Sequence, residues 1–305
     1  MRDYIIETHQ LNFSFGKFKV LHDLDLRVPQ SSIYGFLGPN GAGKTTTIRI
    51  LLGLIKTAQS KVSVFGQDLI KHRVEILRQV GALVEMPSLY LHLSGRKNLE
   101  ITRTLIGNIS KKRIDEVLEI VGLTNDAHRK VKQYSLGMKQ RLGLALSFLA
   151  DPDLLILDEP TNGLDPNGIK EIRELIISLN RDFNKTIFVS SHLLSEVEKV
   201  ATHVGIIHKG KLHFEGSIDE LRDQQRPTTL VEVNDSAKAI EVLKGQNIAA
   251  ASVENGTLKI DASDKPIIHQ INSSLLNAGL EVYQLSPQQS SLEDLFMNIT
   301  QNSQN

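Results

Sequence analysis

One short segment limits what this chain can fold into more than any other part of the sequence. Residues 38–46 fit the pattern G-x-x-x-x-G-K-[ST], in which backbone N–H groups surround the phosphates of a nucleotide. In that pattern the lysine reaches the terminal phosphates, and the hydroxyl after it binds Mg²⁺. The predicted phosphate-binding residues are Gly38, Pro39, Asn40, Gly41, Ala42, Gly43, Lys44, Thr45 and Thr46, with Thr45 also a predicted Mg²⁺ ligand.

The flanks of this phosphate loop predict a strand before it and a helix after it. Residues 32–37 form an apolar run typical of a buried strand, and Ile48, Leu51 and Ile55 recur at helical spacing. A helix that begins at Lys44 directs its unpaired N–H groups and the positive end of its dipole at the loop. The context therefore predicts a nucleotide site in an α/β domain. The alternative is a glycine-rich turn that binds nothing.

Composition narrows the class of protein. The chain has 305 residues, enough for one large domain with an appendage or for two domains. Its 35 basic and 35 acidic residues cancel, so no nucleic-acid partner is expected. The absence of cysteine excludes disulfides and thiolate metal sites. No apolar run approaches the ~18 residues that cross a bilayer, so we expect a soluble protein whose membrane role would depend on a partner.

The pattern before the acidic strand changes from strands to helices. Apolar alternation over residues 5–28 predicts two paired strands with a turn at Gly16-Lys17. Phe15 continues this alternation, so periodicity alone also allows it to be a core aromatic. Residues 87–150 have helical spacing and predict a helical insert between strands.

Three polar residues follow predicted parallel strands. The run 154–157 predicts a central strand that brings Asp158 to the carboxyl edge of a sheet, where ligands of α/β proteins bind. Neighbouring side chains on an extended segment point to different sides, so Asp158 is predicted to hold Mg²⁺ and Glu159 to accept a proton from attacking water. His192 ends the next predicted strand and is the only one of ten histidines with a positional argument for chemistry.

Two helix starts carry polar caps. Ser135 precedes a helix with Gly137 in its first turn, where an anion would be stabilised, although an ordinary serine cap explains the same residues. Asp165 is a predicted cap with Pro166 at the first helical position. After a polar linker at residues 222–227, the order β-α-β-β-α-β predicts a small ferredoxin-like α+β domain, with a turn at Asn255-Gly256 and a final helix over residues 292–299.

Taken together, residues 1–222 resemble the nucleotide-binding subunit of ATP-binding cassette (ABC) transporters. The phosphate loop, the acidic strand, Asp165 in the D-loop and His192 as switch histidine occur in the family's order. The resemblance implies a P-loop NTPase core with an antiparallel β-subdomain and a helical insert over residues 87–150, followed by an accessory domain over residues 227–305. The family's signature, which binds the ATP of the facing subunit, matches Ser135, Leu136, Gly137, Met138, Lys139 and Gln140.

The resemblance also implies cofactors and partners. ATP and Mg²⁺ would bind, Phe15 would stack on adenine, and Lys44, Glu159 and His192 would act in hydrolysis at the γ-phosphate. Two copies, as a homodimer or a heterodimer, would pair head to tail and power a separately encoded membrane permease. The subunit would then be cytoplasmic, held at the inner face of the cell membrane by that permease.

Glu85 departs from the family, most members of which have glutamine at this strand-to-insert junction. Glutamate offers only acceptors and a full negative charge, which is tolerable near a γ-phosphate chiefly if Mg²⁺ lies between them. We therefore predict a metal contact for Glu85; the alternative is a solvated loop carboxylate. Together with the tail at residues 291–296, Glu85 resembles the subgroup that exports, or confers immunity to, lantibiotics and bacitracin-like peptides.

The sequence thus predicts an ATP hydrolase that powers the export of an antimicrobial peptide, lipid or drug. A soluble regulatory or ribosome-associated ATPase of the same superfamily is the alternative, but such proteins usually carry two cassettes or long coiled coils, and this chain has one phosphate loop. A structural module that never hydrolyses ATP would lack Glu159 or His192, and both are present.

Overall fold

The computed structural model describes residues 3–57, 61–224, 227–253, 256–260, 262 and 264–289. The chain divides into two units, Met1–Ile218 and Asp219–Asn305. The predicted final helix over residues 292–299, the tail at residues 291–296 and Asn255 of the predicted turn lie outside the described residues.

The first unit contains two sheets and the helices around them. In chain order its strands are Tyr4–Phe15 (β1), Phe18–Pro29 (β2), Ile33–Leu37 (β3), Val62–Val64 (β4), Gln67–Asp68 (β5), Val80–Leu83 (β6), Leu154–Asp158 (β7), Thr186–Ser191 (β8), His203–His208 (β9) and Lys211–Ser217 (β10). Its helices are Lys44–Leu51 (α1), Arg73–Leu77 (α2), Gly95–Ile106 (α3), Lys112–Ile120 (α4), Leu136–Phe148 (α5), Pro166–Arg181 (α6) and Leu194–Val197 (α7). Helix α8, Ile218–Asp223, lies at the division.

The larger sheet has the order β10-β9-β3-β8-β7-β6, and all its neighbours are parallel except β10 with β9. Strands β3, β7 and β8 are buried at every residue, which is why they read as continuous apolar runs in the sequence. Successive residues of β7 pack on opposite faces: Leu154 and Ile156 join one core cluster, and Leu155 and Leu157 the other.

The smaller sheet is antiparallel and has the order β2-β1-β4-β5. The predicted hairpin is confirmed, with Gly16 in the turn at a φ of 57°. Phe15 ends β1 beside this turn, where its side chain is 53% exposed and meets Phe13 edge to face at 4.9 Å. The interpretation of Phe15 as a core aromatic is therefore wrong. The alternation of apolar residues in β1 continues to Phe15, but the buried part of the sheet ends before this residue.

The predicted insert is helical: α3, α4 and α5 lie between β6 and β7 in the chain. Helix α5 buries Leu142, Leu144, Ala145 and Phe148, as expected for a segment that is apolar on nearly all sides. The insert shares one core cluster with α6 and with one face of the parallel sheet. The start of α5 is therefore held in place relative to the strands that end at the site.

The second unit is a four-stranded antiparallel sheet with two helices. Its elements are Pro227–Val233 (β11), Ser236–Lys244 (α9), Ala250–Ser252 (β12), Thr257–Ile260 (β13), Lys265–Asn277 (α10) and Val282–Gln289 (β14). The order β12-β13-β11-β14 confirms the predicted ferredoxin-like topology. Among the residues described in both units, no helix is long and apolar enough to cross a membrane.

Candidate nucleotide site

The phosphate loop joins β3 to α1 and depends on its glycines. Gly41 and Gly43 have φ values of 80° and 112°, a region that other residues rarely adopt. A Cβ on Gly38 would lie 2.3 Å from the Ile207 carbonyl oxygen, so no larger residue fits there without a shift. Helix α1 begins at Lys44 as predicted, and no side chain caps it, so the N–H groups of its first turn, which follows the loop directly, are left for a ligand. The loop has the form expected of an anion site.

Lys44 lies inside this loop and is only 6% exposed. Its Nζ donates to the carbonyl oxygens of Gly38 at 2.6 Å and Pro39 at 3.3 Å, and it lies 3.3 Å from Glu159 Oε1. Among the other loop residues, Ala42 is buried, Asn40 and Gly41 are exposed, and Pro39, Thr45 and Thr46 are half-buried.

The structure brings Glu159 and His192 together. Glu159 follows β7 with a φ of 49°, and its Oε2 lies 2.8 Å from His192 Nδ1. The same carboxylate therefore contacts Lys44 through one oxygen and His192 through the other. This arrangement arises because β8 lies between β3 and β7 and all three strands are parallel, so their carboxyl ends lie at the same edge of the sheet.

Ser190 is a site residue that the sequence reasoning missed. Its hydroxyl donates to Asp158 Oδ1 at 2.5 Å and accepts the N–H of Glu159 at 3.0 Å. Asp158 and Ser190 are register partners in the parallel pair of β7 and β8, and both are buried. The signal in the sequence was a polar residue at the end of an apolar strand, but its partner depends on the strand order. Ser190 fixes both acidic residues at once.

Asp158 and Thr45 fit a Mg²⁺ site by chemistry. Asp158 is 3% exposed, and its partner Ser190 is neutral, so its charge is not balanced by a salt bridge in the described contacts. Carboxylate and hydroxyl oxygens are the hard ligands that Mg²⁺ takes. The site residues present therefore fit this ion.

Glu85 has a different partner. Its carboxylate is 63% exposed and lies 2.5 Å from Nη2 of Arg49, on the last turn of α1. Its φ is 61°, which is uncommon for a residue other than glycine. The structure thus pairs Glu85 with the phosphate-loop helix, and the metal contact stays a prediction.

The signature residues form a separate surface. Ser135 caps α5, with Oγ accepting the N–H of Met138 at 3.2 Å, so the ordinary cap is confirmed. A Cβ on Gly137 would come no closer than 3.9 Å to another atom, so packing within this chain does not require glycine there. Leu136 approaches Gly163 of the D-loop, Met138 and Lys139 are half-buried, and Gln140 is buried. In the described contacts, Ser135 and Gly137 meet α5 and α6 and not the phosphate loop.

Asp165 caps α6 as predicted. Its Oδ1 accepts the N–H of Gly168 at 3.0 Å, and Pro166 occupies the first turn. The D-loop therefore leads directly into α6, beside the start of α5. Phe15 lies at the exposed end of the β1–β2 hairpin, and its contact with adenine stays a prediction.

Comparison with known protein families gives two matches. Residues 21–162 match the family model described as ABC transporter. Residues 216–300 match the one described as ATP-binding protein DrrA1-3-like, C-terminal domain.

Relatives extend this likeness over nearly the whole chain. The bacitracin transport ATP-binding protein BcrA of Bacillus licheniformis is 46% identical over 298 residues, covering 97% of both chains. The lantibiotic transport ATP-binding protein SrtF of Streptococcus pyogenes is 43% identical over 215 residues, covering 70% of this chain and 92% of the relative.

Solved structures agree with the fold of the first unit. An ATP-binding subunit of an ABC transporter matches with a TM-score of 0.63 at 28% identity, covering 72% of this chain and 92% of that chain. The ATP-binding cassette MJ0796 bound to ADP and Pi matches with a TM-score of 0.62, covering 70% of this chain and 98% of that one; at 21% identity it shows the fold alone. By these matches and by its phosphate loop, this chain belongs to the ATP-binding, ATP-hydrolysing subunits of ABC transporters.

Proposed function

We propose that two copies of the ATPase unit pair head to tail, each binding ATP between its own phosphate loop and the signature helix of the other. The observation that carries this proposal is the division of the site within one chain. Lys44, Glu159 and His192 lie together, whereas Ser135 and Gly137 lie at the start of α5, with no described contact to these three residues. Such an N-terminus suits a phosphate. ATP then stabilises the dimer, and hydrolysis releases it.

In this site Glu159 accepts a proton from the attacking water. Its contact with Lys44 holds the carboxylate near the position of the terminal phosphate, and His192 orients it from the other side. Lys44 spreads the charge of the transferring phosphoryl group, and positioning does most of the catalysis. Ser190 acts through the two acidic residues as a positioning residue.

Thr45 and Asp158 would hold Mg²⁺, which neutralises charge on the phosphate oxygens when it is bound. Asp158 is kept in one orientation by the Ser190 hydroxyl, and Thr45 is held by the first turn of α1. These assignments rest on the oxygen chemistry of the two residues and on the buried charge of Asp158.

Phe15 is proposed to stack on adenine. Stacking of a base on an aromatic ring is worth ≈ 1–3 kcal/mol, so Phe15→Ala is expected to weaken ATP affinity roughly 5- to 150-fold. The free energy of unfolding should change little, because the Phe15 ring is half exposed and outside the core. Equilibrium binding of a fluorescent ATP analogue measures the effect.

Phe18 provides the matched control for this prediction. It lies across the same hairpin, is 72% exposed, and Phe18→Ala removes an equal ring. Phe15→Tyr should retain affinity because it keeps the stacking face. Equal affinities for Phe15→Ala and Phe18→Ala would contradict the role of Phe15.

The predicted metal contact of Glu85 can be tested with single substitutions. Glu85→Gln is expected to change the Mg²⁺ dependence of hydrolysis or its coupling to transport, with ATP binding retained. Arg49→Gln breaks the same ion pair but leaves the carboxylate, so it separates a metal contact from the contact with α1. Titration of Mg²⁺ against ATPase rate in both variants decides between them. Unchanged metal dependence and unchanged transport in Glu85→Gln would support the alternative, in which Glu85 is a solvated loop carboxylate.

The transporter proposed here exports bacitracin-like or lantibiotic-like peptides. Similarity to BcrA over 97% of the chain and to SrtF over the ATPase unit supports this cargo class. A separately encoded permease would hold the subunit at the inner face of the cell membrane. The ATPase domain would span residues 1–222, and residues 227–305 would form an accessory domain.

Two experiments test this proposal. Affinity capture of the full chain from solubilised membranes should recover a multi-spanning permease, whereas a soluble regulatory ATPase would recover none. Cells that lack the gene should become more sensitive to bacitracin or to a lantibiotic, and the wild-type gene should restore resistance while Glu159→Gln should not. Unchanged sensitivity to both peptide classes would contradict the proposal that the transporter exports such peptides.

A further inference from the structure

Helix α6 contacts both the helix that carries the signature and the helix that follows His192. It begins after the D-loop residue Asp165 and packs on α5, whose first turn carries the signature. It also faces α7, the short helix that follows His192. Two ion pairs, one toward each neighbour, join α6 to these helices.

The first ion pair joins α6 to α5. Arg141 Nε lies 3.4 Å from Glu171 Oε2. The Arg141 side chain is largely buried, and its Nη1 donates to the carbonyl oxygens of Val121 at 3.1 Å and Gly122 at 3.2 Å. Arg141 therefore keeps two partners in the insert even when Glu171 is neutralised. The negative charge of Glu171 is therefore what connects Arg141 to α6.

The second ion pair joins α6 to α7. Arg173 Nη1 lies 3.4 Å from Glu196 Oε2, and both side chains are less than a quarter exposed, at 23% and 19%. The other carboxylate oxygen of Glu196 accepts from Lys199 at 3.1 Å, within the same stretch of chain. Glu196 thus connects the segment after His192 to α6. His192 in turn contacts Glu159.

A third ion pair on α6 serves as an internal reference. Lys170 and Glu174 are 3.8 Å apart, and both are more than 60% exposed. This pair lies within α6 and reaches neither α5 nor α7. It is also an ion pair of a glutamate with a basic residue, and it joins α6 to neither neighbouring helix.

We propose that Arg141–Glu171 and Arg173–Glu196 are positioning contacts through which α6 ties the signature helix to the hydrolytic pair Glu159 and His192 of the same subunit. This inference rests on the proposed head-to-tail dimer. In that dimer the signature helix meets one ATP and the hydrolytic pair meets the other. ATP bound at one site then favours the catalytic position of Glu159 at the second site. The two sites therefore hydrolyse ATP cooperatively.

Three glutamate-to-glutamine variants of the full chain test the proposal. Glu171→Gln and Glu196→Gln each remove one link, and Glu174→Gln is the matched control. Coupling energies between contacting residues of 0.5–3 kcal/mol correspond to roughly 2- to 150-fold. We expect a loss of turnover of about 5- to 10-fold for Glu196→Gln, whose pair is mostly buried. The loss should be smaller, about 2-fold, for Glu171→Gln, whose carboxylate is 52% exposed. The Hill coefficient for ATP should fall toward 1 in both link variants. Binding of a fluorescent ATP analogue by each link variant should match that of the wild type, because neither ion pair includes a residue of the phosphate loop.

A double-mutant cycle and a second variant keep the test independent of folding. Arg173→Met and Glu196→Gln should lower turnover no further together than separately, because they break one contact. Glu196→Asp keeps the charge and should recover part of the cooperativity, which a loss caused only by instability would not. Thermal unfolding of each variant identifies any that fail to fold, and those are replaced by Glu171→Ala for the first pair or Arg173→Met for the second.

The outcomes separate this inference from the dimer proposal. If Glu159→Gln forms an ATP-dependent dimer but Glu171→Gln and Glu196→Gln match Glu174→Gln in turnover and Hill coefficient, the link through α6 is wrong and the dimer stands. A wild-type Hill coefficient of 1 would also contradict the link. If no ATP-dependent dimer forms on size-exclusion chromatography, the proposed function itself fails.

Discussion

Replacement of Glu159 by glutamine is expected to lower the turnover of ATP by about 10²–10⁴-fold, the range for loss of a general base. Glutamine keeps the size of the side chain but cannot take a proton from water at neutral pH. The bonds of Lys44 to the Gly38 and Pro39 carbonyl oxygens do not involve Glu159, so the loop should still bind ATP. Steady-state release of phosphate measures turnover, and a nucleotide-binding titration measures affinity.

The same variant should accumulate as an ATP-bound dimer, because ATP that is not hydrolysed continues to hold the two subunits together. Size-exclusion chromatography with ATP and with ADP tests this. Glu174→Gln, an exposed change within α6, is the control for the loss of one carboxylate. Turnover near that of the wild type in Glu159→Gln would rule out Glu159 as the general base.

Replacement of Gly137 by glutamate is expected to lower turnover by a comparable amount, about 10²–10³-fold, as for loss of a transition-state anion site. A carboxylate in the first turn of α5 suits the helix dipole, so the subunit should fold. The same negative charge would repel the phosphates of the ATP on the facing subunit. Each subunit should therefore bind ATP but fail to dimerise.

Gly137→Ala is the matched control, since a Cβ there meets no atom within 3.9 Å and alanine favours the helix. It should keep the wild-type melting temperature and most of the activity. A mixture of Glu159→Gln and Gly137→Glu subunits gives the sharper test. In a head-to-tail dimer of one of each, one site combines the intact Glu159 with the intact Gly137, so activity should exceed that of either parent. No recovery on mixing would contradict the shared site.

The sequence predicted the local elements of the site well because each has a short-range cause. The phosphate loop needs glycines whose φ is positive, and Gly41 and Gly43 have such values. The caps at Ser135 and Asp165 depend on a side chain three residues before the N–H that it accepts, and both are confirmed. The buried strands β7 and β8 follow from their apolar runs.

Contacts between distant segments could not be predicted in this way. Phe15 continues an alternation of apolar residues that, in the sequence, looks the same as that of a core strand. Its exposure follows from its position at the end of the sheet. Ser190 gains its role because β8 lies beside β7, so that its hydroxyl reaches Asp158. Glu85 meets Arg49 because β6 ends near the last turn of α1, which no spacing in the chain reveals.

The sequence by itself determined the chemistry of this protein: a phosphate loop, an acidic strand end, a histidine after the next strand and a signature at a helix start. These are residue types at fixed short spacings, and hydrogen bonding and backbone conformation act over the same short range. Only the tertiary structure decided which of these groups meet. Strand order brings Lys44, Glu159 and His192 to one edge, and helix packing places Ser135 and Gly137 beside α6, with no described contact to those three residues. Partners in space depend on the packing of the whole core, which no local pattern specifies.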